Sequence, residues 1–322
     1  MKTEKQWKEI FSKIINETDL IFEVLDARNP IGTRIYMLED FVKKNTNKKL
    51  YLILNKIDLI PNNVLQQWIQ YFKKNTKFDL FYVSASTNRG LIYFRKQLNR
   101  LFSKETKAII VGYPNTGKSS LISALTKGKK KVGISSTAGF TRGVIAYRIT
   151  PKILLFDTPG VIPLSDDDEC ELALKDAINP EKVKNKELVI YKIITLYVSP
   201  NKILEDFDIN EEFIKNHLER GIAEKFIKHF LSKSSENIGT VNVIKVRSEL
   251  SNDNENSPYL SLEQDDFEII IKLIGLKRGL IIKGGIVNED QVYNTIIHAW
   301  QKNKIKYYLL PPIEKKESNT LS

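Results

Sequence analysis

A chain of 322 residues with 42% apolar side chains is long enough for a larger and a smaller globular domain. Its single cysteine, Cys170, excludes an internal disulfide and a cysteine-held metal cluster and suits a reducing compartment; with no apolar signal core at the start and no membrane-length apolar run, a cytoplasmic protein without membrane contact is expected. The formal charge of +11 favours a polyanionic partner, because neutralising phosphates releases counterions.

In chain order the first half alternates strands (residues 20–25, 50–54 and 78–83) with helices (34–44, 64–74 and 91–102). That alternation predicts a doubly wound α/β sheet, with a ligand at the carboxyl ends of the strands. Directly after the second strand comes Asn55-Lys56-Ile57-Asp58. The Asp58 carboxylate can accept from both the ring N–H and the exocyclic amine of guanine, whereas adenine offers neither donor there. A site built on such a pair rejects the wrong base by about 10⁴, since a buried carboxylate would be left unpaired. After the third strand, Ser84-Ala85-Ser86 is placed to offer a backbone N–H to the guanine carbonyl oxygen. Asn55, Lys56, Asp58, Ser84, Ala85 and Ser86 are therefore the expected base-binding set.

The next strand (107–111) runs into Gly112-Tyr113-Pro114-Asn115-Thr116-Gly117-Lys118-Ser119, followed by a helix from 120 to 126. Strand, glycine loop and helix in that order are the context a phosphate-binding loop requires. Gly112 and Gly117 let backbone N–H groups turn inward, Lys118 reaches the outer phosphates, and the Ser119 hydroxyl suits Mg²⁺. Pro114, Asn115, Thr116, Gly117, Lys118, Ser119 and Ser120 are expected to line the GTP/GDP phosphates. Beyond the loop, Thr141 lies in a polar stretch before the strand 144–149, where a switch threonine would close on Mg²⁺ and the outer phosphate; Thr137 competes for that role. Asp157-Thr158-Pro159-Gly160 ends the strand 153–156, putting a carboxylate beside the metal and a Gly160 N–H near the outer phosphate. Lys118, Thr141 and Gly160 are the expected catalytic residues, and Ser119, Thr141 and Asp157 the expected Mg²⁺ residues. Val161 stands where many GTPases carry a water-orienting Gln, and an aliphatic side chain cannot do that by hydrogen bonding.

The base motif thus precedes the phosphate loop, the reverse of an ordinary GTPase. With Asp26-Ala27-Arg28-Asn29-Pro30, the rotated motifs, Asp157 to Val161, Ala177-Ile178-Asn179-Pro180-Glu181-Lys182, Arg278 to Gly285, Ala299 to Ile305 and Pro311-Pro312, nearly the whole chain resembles the circularly permuted GTPases of the YlqF/YawG group, in its nucleolar and archaeal branch. The resemblance implies a P-loop GTPase domain, circularly permuted, with a smaller, mainly α-helical C-terminal domain. It also implies GTP hydrolysis without the Gln and a role in assembly of the large ribosomal subunit, with rRNA and ribosomal proteins as partners. In potassium-stimulated relatives a loop residue matching Asn115 helps to hold K⁺, so K⁺ is an expected cofactor and Asn115 an expected ligand; the alternative is a plain turn residue. Some relatives use an N-terminal histidine, but the first histidine here is His217, so that role does not carry over.

The expected division is a GTPase domain over residues 1–178 and a helical, RNA-contacting domain over 179–322, acting as a monomer. Rotation is physically tolerable because residues 103–106 can join the old chain ends at the edge away from the ligand. It also runs the second switch directly into the C-terminal domain. In that domain, residues 186–196, 211–216, 222–231 and 267–274 have helical apolar spacing, residues 248–258 read as a surface loop and 313–322 as a disordered tail. Asn288 caps a last helix with Gln291 three residues on, its apolar stripe reading as core. Gly284-Gly285 reads as a tight turn, and His217, His229 and His298 as structural or surface residues. The basic runs Lys127 to Lys131 and Lys182 to Lys186 read as solvated faces taken singly and as RNA contacts beside the resemblance. The acidic run 166–171 reads as a mobile solvated loop. Tyr307 and Tyr308 with Lys304 and Lys306 fit either RNA stacking or packing beneath Pro311-Pro312. Two other functions stay open: a nucleotide-gated RNA-binding scaffold, and a GTPase acting on transfer RNA or a membrane-associated target.

Overall fold

The computed structural model describes residues 12, 18–45, 48–126, 133–134, 145–157, 168–231 and 262–312. The chain divides into two compact units, residues 1–179 and 180–322. The first is built on a seven-stranded sheet of order β3-β2-β1-β4-β7-β6-β5. Its strands are β1 (Leu20–Asp26), β2 (Lys49–Asn55), β3 (Asp79–Tyr82), β4 (Thr106–Val111), β5 (Gly133–Ile134), β6 (Ile145–Arg148) and β7 (Ile153–Asp157). The pairs from β3 to β7 are parallel, and β6 and β5 close one edge antiparallel. The chain winds outward from β1 through β2 to β3, returns to β4 beside β1, and then builds the other side. That reversal between β1 and β4 is a topological switch point, where ligands of such sheets bind.

Local chemistry explains the helices that flank the site. Helix α1 (Tyr36–Asn45) follows β1, α2 (Asn62–Asn75) follows β2, and α3 (Leu91–Leu101) follows β3. Leu91, Phe94 and Leu98 of α3 are buried against the sheet, where Phe94 meets Phe81 edge-on at 4.8 Å and Phe22 at 5.6 Å. Such aromatic pairs add about 0.5–1.5 kcal/mol each beyond area burial. Within β1, Glu23 is fully buried and accepts from the Ile35 N–H at 2.5 Å. Burial first, and then Glu39, push its carboxyl up to about 8, against the lowering pull of the Ile35 N–H and Arg34.

The acidic run departs from its expectation over the part the structure describes. Residues 168–171 are not a solvated loop: Asp168 caps α5 (Glu169–Leu174), accepting from the Cys170 N–H at 2.8 Å, with Glu169 and Glu171 in the first turn. Carboxylates are favoured there by the free N–H groups and the helix dipole.

The second unit holds α6 (Lys186–Lys192) continued by a π-helical turn Ile193–Tyr197, then α7 (Pro200–Asp206), α8 (Glu211–His217), α9 (Arg220–Phe230), α10 (Gln264–Arg278), a hairpin of β8 (Ile281–Ile282) and β9 (Ile286–Val287), and α11 (Glu289–Gln301). Asn288 caps α11 by accepting from the Gln291 N–H at 3.2 Å. Trp300 is fully buried and stacks on Tyr307 at 3.6 Å, which places Tyr307 in the core rather than on an RNA-facing surface. Gly284 and Gly285 take positive φ in the hairpin turn, as only glycine does readily. Residues 248–258 and 313–322 lie outside the described residues, and no helix among the described residues is long and apolar enough to cross a membrane.

Candidate functional site

The two halves of the expected nucleotide site converge at the carboxyl ends of β2 and β4. Asn55, the last residue of β2, is 1% exposed. Its Nδ2 donates to the Thr116 carbonyl at 3.0 Å, while its Oδ1 accepts from the Ala85 N–H at 3.2 Å. One buried amide thus joins the phosphate loop to the base loop. A Cβ on Gly117, which sits at φ 93°, would overlap that same amide, so the glycine is required by close approach as well as by backbone conformation.

Lys56 occupies the left-handed region at φ 64° and places its Nζ 2.7 Å from Asp26 Oδ2 at the end of β1. The same carboxylate accepts from Arg28 Nη2 at 2.7 Å, Arg28 Nε at 3.1 Å and the Arg28 N–H at 2.9 Å. Burial alone would raise the Asp26 carboxyl, but Arg28 and then Lys56 outweigh it and hold it well below the usual carboxylate range. Asp58 projects from the turn Ile57–Leu59 and is exposed, with Oδ2 accepting from the Ser86 hydroxyl at 3.0 Å. Ser84 is buried; its Oγ lies 3.0 Å from Ser86 Oγ and accepts from the Thr87 N–H at 3.1 Å.

On the phosphate side, Lys118 opens α4 (Lys118–Thr126) and is 7% exposed. Its Nζ donates back to the carbonyls of Gly112 at 3.0 Å and Tyr113 at 2.8 Å. Burial pulls the ammonium down to about 8, against the opposing pull of Asp157. Asp157 ends β7, in register with Ile110 of β4, so the carboxylate and the loop share one end of adjacent strands. Ser119 and Ser120 are exposed in the first turn of α4, Pro114 is half-buried, and the Thr116 hydroxyl is turned inward onto the Tyr113 carbonyl at 3.0 Å. Asn115, in the left-handed region at φ 60°, donates from Nδ2 to the Asp176 carbonyl at 2.7 Å and to its carboxylate at 3.1 Å. That leaves the Asn115 carbonyl oxygen facing no hydrogen-bond donor among the described residues.

Thr141, Thr137, Gly160 and Val161 lie outside the described residues, as does the basic run from Lys127 to Lys131. Three participants carry no role in the sequence reading: Asp26 and Arg28, noticed there only as part of a motif, and Asp176. Two acid-base neighbours after a strand are visible in sequence, but that Lys56 would share the carboxylate is not. Asp176 had no local signal beyond its position before Ala177-Ile178-Asn179-Pro180.

Known proteins resemble this chain over most of its length. The family described as 50S ribosome-binding GTPase matches residues 107–233, and the RsgA GTPase family matches residues 28–165. An uncharacterized GTP-binding protein of Methanocaldococcus jannaschii is 35% identical across 94% of this chain and 66% of its own length. Nucleolar GTP-binding protein 2 of Pneumocystis carinii is 30% identical across 97% of this chain and 55% of its own length, so this chain spans little more than half of that relative. Among solved structures, GDP-bound YlqF superposes with a TM-score of 0.57 at 18% identity, covering 95% of this chain and all of that one (100%). GNP-bound YlqF from T. maritima gives a TM-score of 0.55 at 18% identity, over 96% and 98% of the two chains. At that identity the likeness is one of fold.

Proposed function

The chain belongs to the YlqF-like family of circularly permuted GTPases, and from that premise we propose that it binds GTP, hydrolyses it to GDP and phosphate, and acts in assembly of the large ribosomal subunit. The observation that carries the reading is Asn55, whose single buried amide joins the expected base loop to the expected phosphate loop. In the proposed complex Asp58 reads guanine and the loop 84–86 meets its carbonyl oxygen. Lys118 exchanges the Gly112 and Tyr113 carbonyls for the outer phosphates, stabilising charge there. Thr141 and Gly160 are proposed to close on the outer phosphate. Mg²⁺ suits the hard oxygen donors available, the Ser119 hydroxyl and the Asp157 carboxylate, and when bound it neutralises phosphate charge. K⁺ suits the Asn115 carbonyl oxygen, which Asp176 orients by holding the amide nitrogen; equal turnover in potassium and sodium would remove this part.

Isolated turnover is expected near the ~10⁻⁴ to 10⁻² s⁻¹ of unassisted GTPases. Val161 in place of a water-orienting side chain favours a second reading, a nucleotide-gated RNA-binding scaffold with little hydrolysis. Turnover measured with and without large subunits separates the two: stimulation supports the enzyme, and an unchanged rate with GTP-dependent association supports the scaffold. The nucleolar name of the fungal relative brings the ribosomal setting here as a proposal, with the cytoplasm as the proposed compartment and a monomer as the proposed state. Asn115 also touches the segment just before the second unit begins at Pro180, so the state of the phosphate loop is proposed to reach that unit. Identical hydrogen exchange over residues 180–322 in GTP and GDP would count against such a relay.

A further inference from the structure

Helix α3 buries one face completely and leaves the other with a composition that its core role does not explain. Its sequence, Leu-Ile-Tyr-Phe-Arg-Lys-Gln-Leu-Asn-Arg-Leu, holds three cations and no acid. Ile92, Tyr93, Lys96 and Arg100 fall within an arc of about 100° on a helix of 3.6 residues per turn. Opposite them lie the buried Leu91, Phe94 and Leu98. Ile92 is 73% and Tyr93 59% exposed, two large apolar side chains side by side in water. Lys96 and Arg100 are exposed and make no ion pair with the described residues. Like charges one turn apart repel, and no acid on the helix relieves them. The acid that follows the helix, Glu105, is paired with Arg148 at 3.0 Å. The net charge of +11 favours a polyanion as the partner of these cations, and beside a polyanion carrying bases the exposed ring has a use as well.

A phosphate backbone with splayed bases uses both: cations track the phosphates, and an exposed aromatic ring stacks on a base. The geometry points to the outer face of α3 as a docking surface for single-stranded RNA, carried by the GTPase unit itself, with Tyr93 stacking on a base and Lys96 and Arg100 on flanking phosphates. This rests on the reading that RNA is the partner, and it adds a surface separate from the C-terminal unit.

The test is fluorescence anisotropy of the full chain with a labelled single-stranded RNA of ~20 nucleotides, long enough for several contact sites. Tyr93→Ala is expected to weaken binding about tenfold, the size of one lost base stack. Lys96→Glu with Arg100→Glu should weaken it further and make the log–log salt dependence shallower by roughly 1.4, two phosphates' worth. GDP affinity, measured in parallel, should stay at the wild-type value and shows that the variants fold. If the wild-type chain binds no RNA, the underlying reading fails and takes this surface with it. If RNA binding survives the α3 variants but falls in Lys304→Glu with Lys306→Glu, the RNA reading stands and this surface is wrong. If RNA binding is untouched while co-sedimentation with large subunits is lost, the face docks protein, and the assignment is again overturned.

Discussion

The expected base end and the expected phosphate end of the candidate site are braced in opposite ways. At the expected base end the braces run mostly between other protein groups, Asn55 to Thr116 and Ala85, Lys56 to Asp26, and Ser84 to Thr87, while Asp58, the proposed reading group, stays exposed and accepts from the Ser86 hydroxyl. At the phosphate end the reading group is itself the brace, since Lys118 is buried and donates to its own loop's carbonyls. Under the proposed function a base would meet a frame held by these bonds, whereas phosphates would take over the bonds that Lys118 makes to its own loop.

The sharpest way to break this contrast is Asp58→Asn. GTP affinity should fall by up to about 10⁴, with a xanthosine nucleotide now favoured, because the amide mismatches guanine's donors. As Asp58 is exposed, stability without nucleotide should stay within about 0.5 kcal/mol. A large drop in nucleotide-free melting temperature would show that Asp58 is part of the frame after all. Next in size is Lys118→Ala: calorimetry should show GTP binding weakened on the order of 10²-fold or more, since truncating one partner of a desolvated charge pair costs about 2–5 kcal/mol.

Asn55→Ala should act on the frame instead, leaving the Thr116 carbonyl and the Ala85 N–H unpaired. Each buried unpaired group costs about 1–3 kcal/mol, so the nucleotide-free protein should unfold at lower denaturant. An unchanged midpoint would mean that the two loops hold together without it. The smallest effect is a pH dependence. Free Lys118 titrates near 8, lowered by burial, and phosphate contact would return it toward the ordinary lysine range. Affinity for GTP should therefore be greatest below pH 8 and fall about fourfold from pH 7 to 8.5, and Lys118→Ala should flatten the profile.

Much of the pocket was legible because its signals are local. A glycine loop between a strand and a helix announces itself by spacing, and so does Asn55-Lys56-Ile57-Asp58 at the end of an apolar strand. What each side chain does there was less legible. Asn55 and Thr116 read as ligand contacts in sequence, and the structure adds bonds within the protein that sequence does not show: Asn55 to Thr116 and Ala85, and the Thr116 hydroxyl to Tyr113 of its own loop. Asp26 belongs to a recognisable motif, but its bond to Lys56 joins two strands and could not be read from either. The start of α5 was misread because carboxylates that signal a solvated loop by composition are also what a helix N-terminus prefers. The hairpin β8–β9 escaped because each strand has two residues and exposed isoleucines, with no alternation to detect.

The order of the motifs, the guanine preference implied by Asp58 and the rotated chain are properties of the sequence alone, because each is fixed by residue identity at short range. Which groups brace which loop was decided only in three dimensions. Asn55, Lys56 and Asn115 find their partners across parallel strands or at the far end of the unit. Such pairings depend on strand order and register, and those are settled by the packing of the whole sheet.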